Sequence, residues 1–174
     1  MKAPILALAL LLAGTAQAET ADVTASTFQV KSSYAIKAPA AKVYEAYSQI
    51  GNWWNPAHSW SGKGENLSLE AKAGGCFCEK LPDGGSVQHM AVVFAQPGKL
   101  LRLSGGLGPL QPGALAGSMS WQTVEKDGVT TLSLTYNVSG YYPGGLDKIA
   151  PAVDMVLAEQ MNRLKKYVET GKPT

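Results

Sequence analysis

Few side chains in this chain could carry chemistry. There are two histidines, two cysteines, and a thin scatter of carboxylates. His89 lies mid-strand in Val87-Gln88-His89-Met90-Ala91. Facing inward it would serve as a base, or join Cys76 and Cys78 as a soft metal-ligand set; otherwise it is a hydrogen-bonded wall histidine. A strand-borne Cys-x-Cys with one distant His fits no zinc spacing, so neither a metal nor another cofactor is expected. His58 sits in a Trp-rich loop and should be exposed. Glu70 and Glu79 lie on or near strands, and a carboxylate aimed into an apolar cavity would hold its proton and act as an acid. The expected place for both is the solvated outer face. No catalytic residue is assigned; His89 and Glu79 are the candidates. The chain lacks Gly-x-Ser-x-Gly, His-Glu-x-x-His, the P-loop and the dinucleotide fingerprint. Gly105-Gly106-Leu107-Gly108 has no following helix or Lys to cradle a phosphate.

Cys76 and Cys78 are the only cysteines. On a regular strand both thiols share a face, with Cα atoms roughly 6.5 Å apart, near the upper limit for a disulfide. A bridge would need local distortion, which Gly74-Gly75 could supply as a bulge. A bridge, two buried thiols and half a metal site are all open at this stage.

The aromatic residues give a stronger signal. Trp53, Trp54 and Trp60 cluster after the first helix, Tyr141 and Tyr142 precede the last, and Trp121 lies on a strand. At the two ends of a cavity such rings form a rim or lid, although at least one of Trp53 and Trp54 should plug the core. Leu107, Leu110 and Leu115 are apolar for a Gly/Pro-rich stretch, and either gate a cavity or pack over a barrel end.

The elements that must position these residues are legible from periodicity. Thr27 to Ile36 alternates as a half-buried strand, and Ala40 to Ile50 reads as a helix ended by Gly51. Six further strands follow: Asn66 to Lys72, Cys76 to Leu81, Val87 to Ala95, Leu100 to Ser104, Ser118 to Glu125 and Val129 to Ser139. Ile149, Val153, Leu157, Met161, Leu164 and Val168 then recur at three- and four-residue spacing. That closing helix has Asp147 as its expected N-cap, Pro151 in its first turn and Gly171 as its stop. The sum is an α+β fold of seven strands in a curved antiparallel sheet around a long C-terminal helix, with two short helices after the first strand.

Of 174 residues, 16% are charged and 45% hydrophobic, with a net charge of +2. This excludes a disordered tail and offers no basic field for nucleic acid. Met1-Lys2, the apolar run Ile5 to Ala13 and Ala16-Gln17-Ala18 form a secretory leader with cleavage after Ala18. The run is too short to span a bilayer, so no stable membrane insertion is expected. The domains are then a signal peptide at 1–18, a lead-in at 19–26 and one domain at 27–171, placed in the periplasm or outside the cell.

Several stretches together resemble the START/SRPBCC superfamily, the helix-grip fold of the birch pollen allergen and polyketide cyclase proteins. They are Ile36-Lys37-Ala38-Pro39-Ala40-Ala41-Lys42-Val43-Tyr44 leading into Trp53-Trp54, Gly74-Gly75-Cys76-Phe77, and Ala95-Gln96-Pro97-Gly98-Lys99-Leu100. Within it the chain is most similar to the branch named after the activator of the heat-shock-protein ATPase. The resemblance implies a cavity between sheet and helix that holds a hydrophobic, lipid-like or amphipathic molecule. Residues expected at the ligand are Trp53, Trp54, Trp60, Cys76, Cys78, His89, Trp121, Tyr136, Tyr141, Leu157 and Met161. The first expectation is a binding protein rather than an enzyme. Two alternatives accompany it: a polyketide cyclase or aromatase using His89 or a buried carboxylate, and a co-chaperone-like module whose protein partner is unknown.

Overall fold

Alternation builds the wall of the molecule. In the computed structural model, which describes residues 18–174, the stretch Thr27–Ile36 turns Phe28, Val30, Ser32, Tyr34 and Ile36 inward. The leader expected at 1–18 lies outside the described residues, its last residue apart. The strands are β1 (Ala18–Thr24), β2 (Thr27–Ile36), β3 (Leu67–Leu69), β4 (Cys76–Lys80), β5 (Ser86–Gln96), β6 (Leu100–Ser104), β7 (Ala114–Lys126) and β8 (Val129–Tyr141). The helices are α1 (Ala40–Tyr47), α2 (Ile50–Trp53) and α3 (Leu146–Thr170). All strand pairs are antiparallel, in one sheet of order β1-β2-β8-β7-β6-β5-β4-β3.

The sheet has eight strands rather than the expected seven. β1 forms from Ala18, the last residue of the expected leader, and from residues read only as a lead-in, because Ala18 to Ala21 pair with Gln29 to Ser32 along an edge that β2 would otherwise expose. Its pattern is polar on both faces, so pairing rather than burial makes it a strand. The first helix also ends earlier than expected, at Tyr47, and Gly51 lies inside α2 instead of stopping a helix. Glycine is needed there for closeness: a Cβ on Gly51 would sit 2.5 Å from the Gly64 carbonyl oxygen.

α3 buries Leu146, Ala150, Val153, Leu157, Met161, Leu164 and Val168 and ends on Gly171 in the left-handed conformation. It starts one residue before Asp147, with Gly145 at the N-cap; Asp147 lies in the first turn, where its charge suits the helix dipole. Pro151 is therefore the sixth helical residue, two positions deeper than expected.

The helix rests chiefly on β1 and β2. Thr20 reinforces this seat by donating its hydroxyl to Asp154 at 3.1 Å. A twisted sheet cannot follow a straight helix along its whole width, so the β4–β5 end stands away from it. Between these two surfaces lies open space.

β7 and β6 meet the loop after β6 at Gly117. A Cβ there would fall 2.1 Å from the Gly105 carbonyl oxygen, which is backbone and cannot swing aside. Gly117→Ala should cost about 1–3 kcal/mol of stability, read as a lower midpoint in chemical denaturation. An unchanged midpoint would mean that the two strands do not approach this closely.

Candidate functional site

The space encloses about 290 Å³. Ile149, Ala152, Val153, Val156 and Leu157 of α3 form one wall. Phe77 of β4 and His89 of β5 form the opposite one. Trp54, Ala57, His58, Ser59 and Trp60 close one side, and Leu107, Gly108 and Pro109 the other. The lining is overwhelmingly apolar, and both of the protein's histidines belong to it.

His89 reaches the wall through a β-bulge. Phe77 pairs with Met90 and Cys78 with Gln88, so His89 is an extra residue with no partner across the strand. The bulge lets His89 and Met90, neighbours in sequence, both turn inward. Further along β5, Val92 pairs with Leu103 and Phe94 with Arg102; the second irregularity leaves Val93 and Phe94 both outside.

The expected outer-face position holds for Glu70 but not for Glu79. β4 alternates, Phe77 faces inward, and Glu79 two residues on must share its side; it is 1% exposed. Such a buried carboxylate needs hydrogen bonds to replace water. Its oxygens accept from the backbone N–H of Trp60 at 3.1 Å, from the backbone N–H of Ser61, and from His89 Nε2 at 2.9 Å. Burial pushes the Glu79 carboxyl up, but its hydrogen bonds from Ser61, Trp60 and His89 outweigh this and hold it below 4.5. His89 is also displaced downward from 6.5: burial disfavours its charged form more than Glu79 favours it. The pair is thus an ionised carboxylate beside a neutral imidazole. With Nε2 carrying the proton toward Glu79, Nδ1 is the bare nitrogen, and it is buried without a hydrogen-bond partner. The ring is tilted against Phe77, with centroids 4.7 Å apart.

Cys76 and Cys78 lie on the other face of β4 and are bonded to each other. Their Cα atoms are 5.4 Å apart, short of the regular-strand spacing, and the distortion falls between Phe77 and Cys78, opposite His89, rather than at Gly74-Gly75. A shared ligand set with His89 is therefore not formed. Gly75 serves a tight connection instead, its position for a Cβ lying 2.1 Å from the Glu70 carbonyl oxygen.

The mouth is fastened to its surroundings. His58 Nε2 lies 3.0 Å from Glu159 of α3, whose other oxygen accepts from the Asn55 side chain. The Trp54 indole donates to the His58 carbonyl at 3.0 Å. On the other side, the Tyr136 hydroxyl accepts from Leu107 N–H and donates to the Gly105 carbonyl, both at 3.0 Å. Burial pushes this phenol up to about 12, so it stays protonated and able to donate.

Of the residues expected at the ligand, Trp54, Trp60, His89 and Leu157 line the cavity. Trp53 and Trp121 are core residues, stacked edge-on at 6.1 Å, and Met161 is buried with them. Tyr136 acts from behind the wall, Tyr141 is 68% exposed, and the cysteines face away. Phe77, Ile149, Val153 and Val156 also line the space. Ile149 and Val153 belong to the apolar helix stripe already legible in the sequence, and Phe77 follows from its parity with Glu79.

Acidification should weaken this fold in a defined order. Both groups bind protons less readily folded than unfolded, so stability is complete above about pH 6.5. As pH falls through that value the unfolded chain gains a proton on His89 that the native state resists, and below 4.5 Glu79 adds a second loss. The urea midpoint should therefore drop from pH 7.5 to pH 5, and His89→Phe should shrink the drop. A midpoint that rises over this interval would contradict the assignment.

No family model matches the chain, and no curated protein does. Solved structures do. A conserved protein of unknown function from Enterococcus faecalis aligns with a TM-score of 0.60 at 16% identity, over 90% of this chain and 78% of its own. CalU16 from Micromonospora echinospora gives 0.60 at 12%, over 92% and 88%. The Aha1 dimer from Colwellia psychrerythraea, solved in solution, gives 0.60 at 18%, over 83% and 98%. Identities this low speak to architecture alone: the chain is an α+β protein of the helix-grip fold, an antiparallel sheet closed by a long C-terminal helix.

Proposed function

We propose that this protein binds a hydrophobic or amphipathic small molecule between its sheet and C-terminal helix, and does so after export, in the periplasm or outside the cell. The observation that carries the first part is the cavity itself. Its walls are the aliphatic side chains of α3 and the rings of Phe77, Trp54 and Trp60, with His58, His89 and Ser59 as the polar exceptions. Its volume of about 290 Å³ lies at the small end of ligand sites and suits a compact ring system. Trp60, 56% exposed, offers a large apolar surface at the entrance. A folded protein gains nothing by leaving such a lining open to water, and a guest that displaces the water recovers the hydrophobic stabilisation. The second part is supported by the three-part leader and by the Cys76–Cys78 bridge, a pairing that persists in oxidising compartments.

N-phenyl-1-naphthylamine, a neutral three-ring dye, should bind saturably with one molecule per chain and brighten on entry. Ala152 lines the cavity on an exposed part of α3, so Ala152→Trp should obstruct it without overpacking the core. We expect a dissociation constant at least about tenfold weaker, equal to about 1.4 kcal/mol, with an unchanged melting temperature. Absence of saturable dye binding by the unaltered protein would overturn the proposal.

A further inference from the structure

From its position on the sheet we infer that the Cys76–Cys78 bridge is a thiol–disulfide exchange site for dithiol reductants, and that opening it loosens the mouth of the cavity on the other face of the same strand. The link to ligand affinity rests on the proposed binding role and adds a regulation to that site. Three observations support it.

First, the bridge is placed to react rather than to brace the fold. Cys76 and Cys78 are half-buried on the outer face of β4, and the residues directly opposite Cys78 on the two neighbouring strands, Ser68 and Gln88, are exposed. An incoming thiolate can approach the sulfurs from that side. Lys80, exposed and two residues further along the same face, supplies positive charge that favours a departing thiolate. The bridge spans a single residue, Phe77, and so short a loop restricts the unfolded chain little.

Second, bridge and bulge are one distortion. The bonded cysteines hold their Cα atoms 5.4 Å apart, against roughly 6.5 Å on a regular strand. Across the β4–β5 pairing, the two-residue step from Cys76 to Cys78 faces the three-residue step from Ala91 to Gln88. The shortened side leaves the longer one a surplus, which it takes up as the bulge that turns His89 inward.

Third, the bulge is connected to the mouth. His89 Nε2 lies 2.9 Å from Glu79, and Glu79 accepts from the backbone N–H groups of Trp60 and Ser61. Phe77, His89 and Trp60 all line the cavity. With the bridge open, β4 is free to extend, and the constraint that aims the imidazole at Glu79 is removed. Glu79 then loses one of its three partners, and the Trp60 loop loses its anchorage to the wall.

The exchange balances with the dithiol as the only co-reactant. One of its thiolates bonds to one sulfur of the bridge; the S–S bond breaks, and its electron pair leaves on the other sulfur, which takes a proton from water. The second thiol gives its proton to water and attacks the mixed disulfide, freeing the second cysteine, which is protonated in turn. The dithiol is oxidised to a disulfide, and two electrons pass to the protein.

The test uses the full chain in its oxidised form, dithiothreitol as the dithiol and N-phenyl-1-naphthylamine as the cavity probe. Titration without denaturant should find no thiol before reduction and both cysteines after it. The dissociation constant of the dye should weaken about fivefold on reduction and recover on reoxidation, with the melting temperature little changed. Amide hydrogen exchange at Trp60 and Ser61 should quicken about tenfold. Cys76→Ser combined with Cys78→Ser should bind the dye as weakly as the reduced chain, with or without dithiothreitol. A bridge that resists dithiothreitol until the protein is denatured overturns the inference. So does an unchanged dye affinity after complete reduction, a double variant that binds as tightly as the oxidised chain, or loss of the fold on reduction. If even the oxidised protein binds no dye, the binding proposal falls and hydrogen exchange alone decides: faster exchange at Trp60 and Ser61 on reduction supports the inference, and unchanged exchange overturns it. Should the double variant fail to fold, the oxidised and reduced forms of the unaltered chain decide by the same dye comparison.

Discussion

A carboxylate withdrawn from water must be given hydrogen bonds in place of its hydration, and the Glu79 side chain receives them from three directions. Two come from the loop that carries Trp60, and the third from His89 on the neighbouring strand. One buried charge therefore joins the entrance of the cavity to its inner wall. Removing the carboxylate would leave two backbone N–H groups and an imidazole N–H to find other partners. The position of the loop, the tautomer of the histidine and the shape of the space between them all follow from satisfying this single group.

The same constraint gives the local backbone its irregularity. Regular pairing of β4 with β5 would let only one of His89 and Met90 face inward. The bulge admits both, so that the imidazole reaches Glu79 while Met90 remains in the core. The Cys76–Cys78 bridge lies on the opposite face of the same stretch, where the Cα separation is 5.4 Å. It ties the outer side of the strand whose inner side presents Phe77 and Glu79. At the other side of the mouth, Tyr136 performs the equivalent service for the Leu107 loop, from a strand whose alternation is unbroken.

This division explains what could be read from the chain. The α+β class, the sheet strands with clean alternation and the terminal helix were legible because burial of one face dictates their period. β1 was not, since a polar strand held by pairing has no period to detect. The apolar half of the site was accessible through the stripe Ile149, Val153 and Leu157. Its polar half was obscured. Glu79 looks like a surface carboxylate until its parity with Phe77 is taken seriously, and the inward turn of His89 depends on a one-residue bulge whose cause lies across the strand in β4. The aromatic cluster divided as its neighbours dictated: Trp53 and Trp121 pack against each other, while Trp54 and Trp60 meet the cavity.

The central claim is that a guest sits between the β4–β5 end of the sheet and α3. Nuclear Overhauser contacts between bound naphthalene and the protein's methyl groups test it most directly. The account predicts contacts to Ile149, Val153, Val156 and Leu157, and none to Val124 or Val129 on the far hairpin. Contacts confined to those outer valines, or none at all at saturating naphthalene, would contradict it.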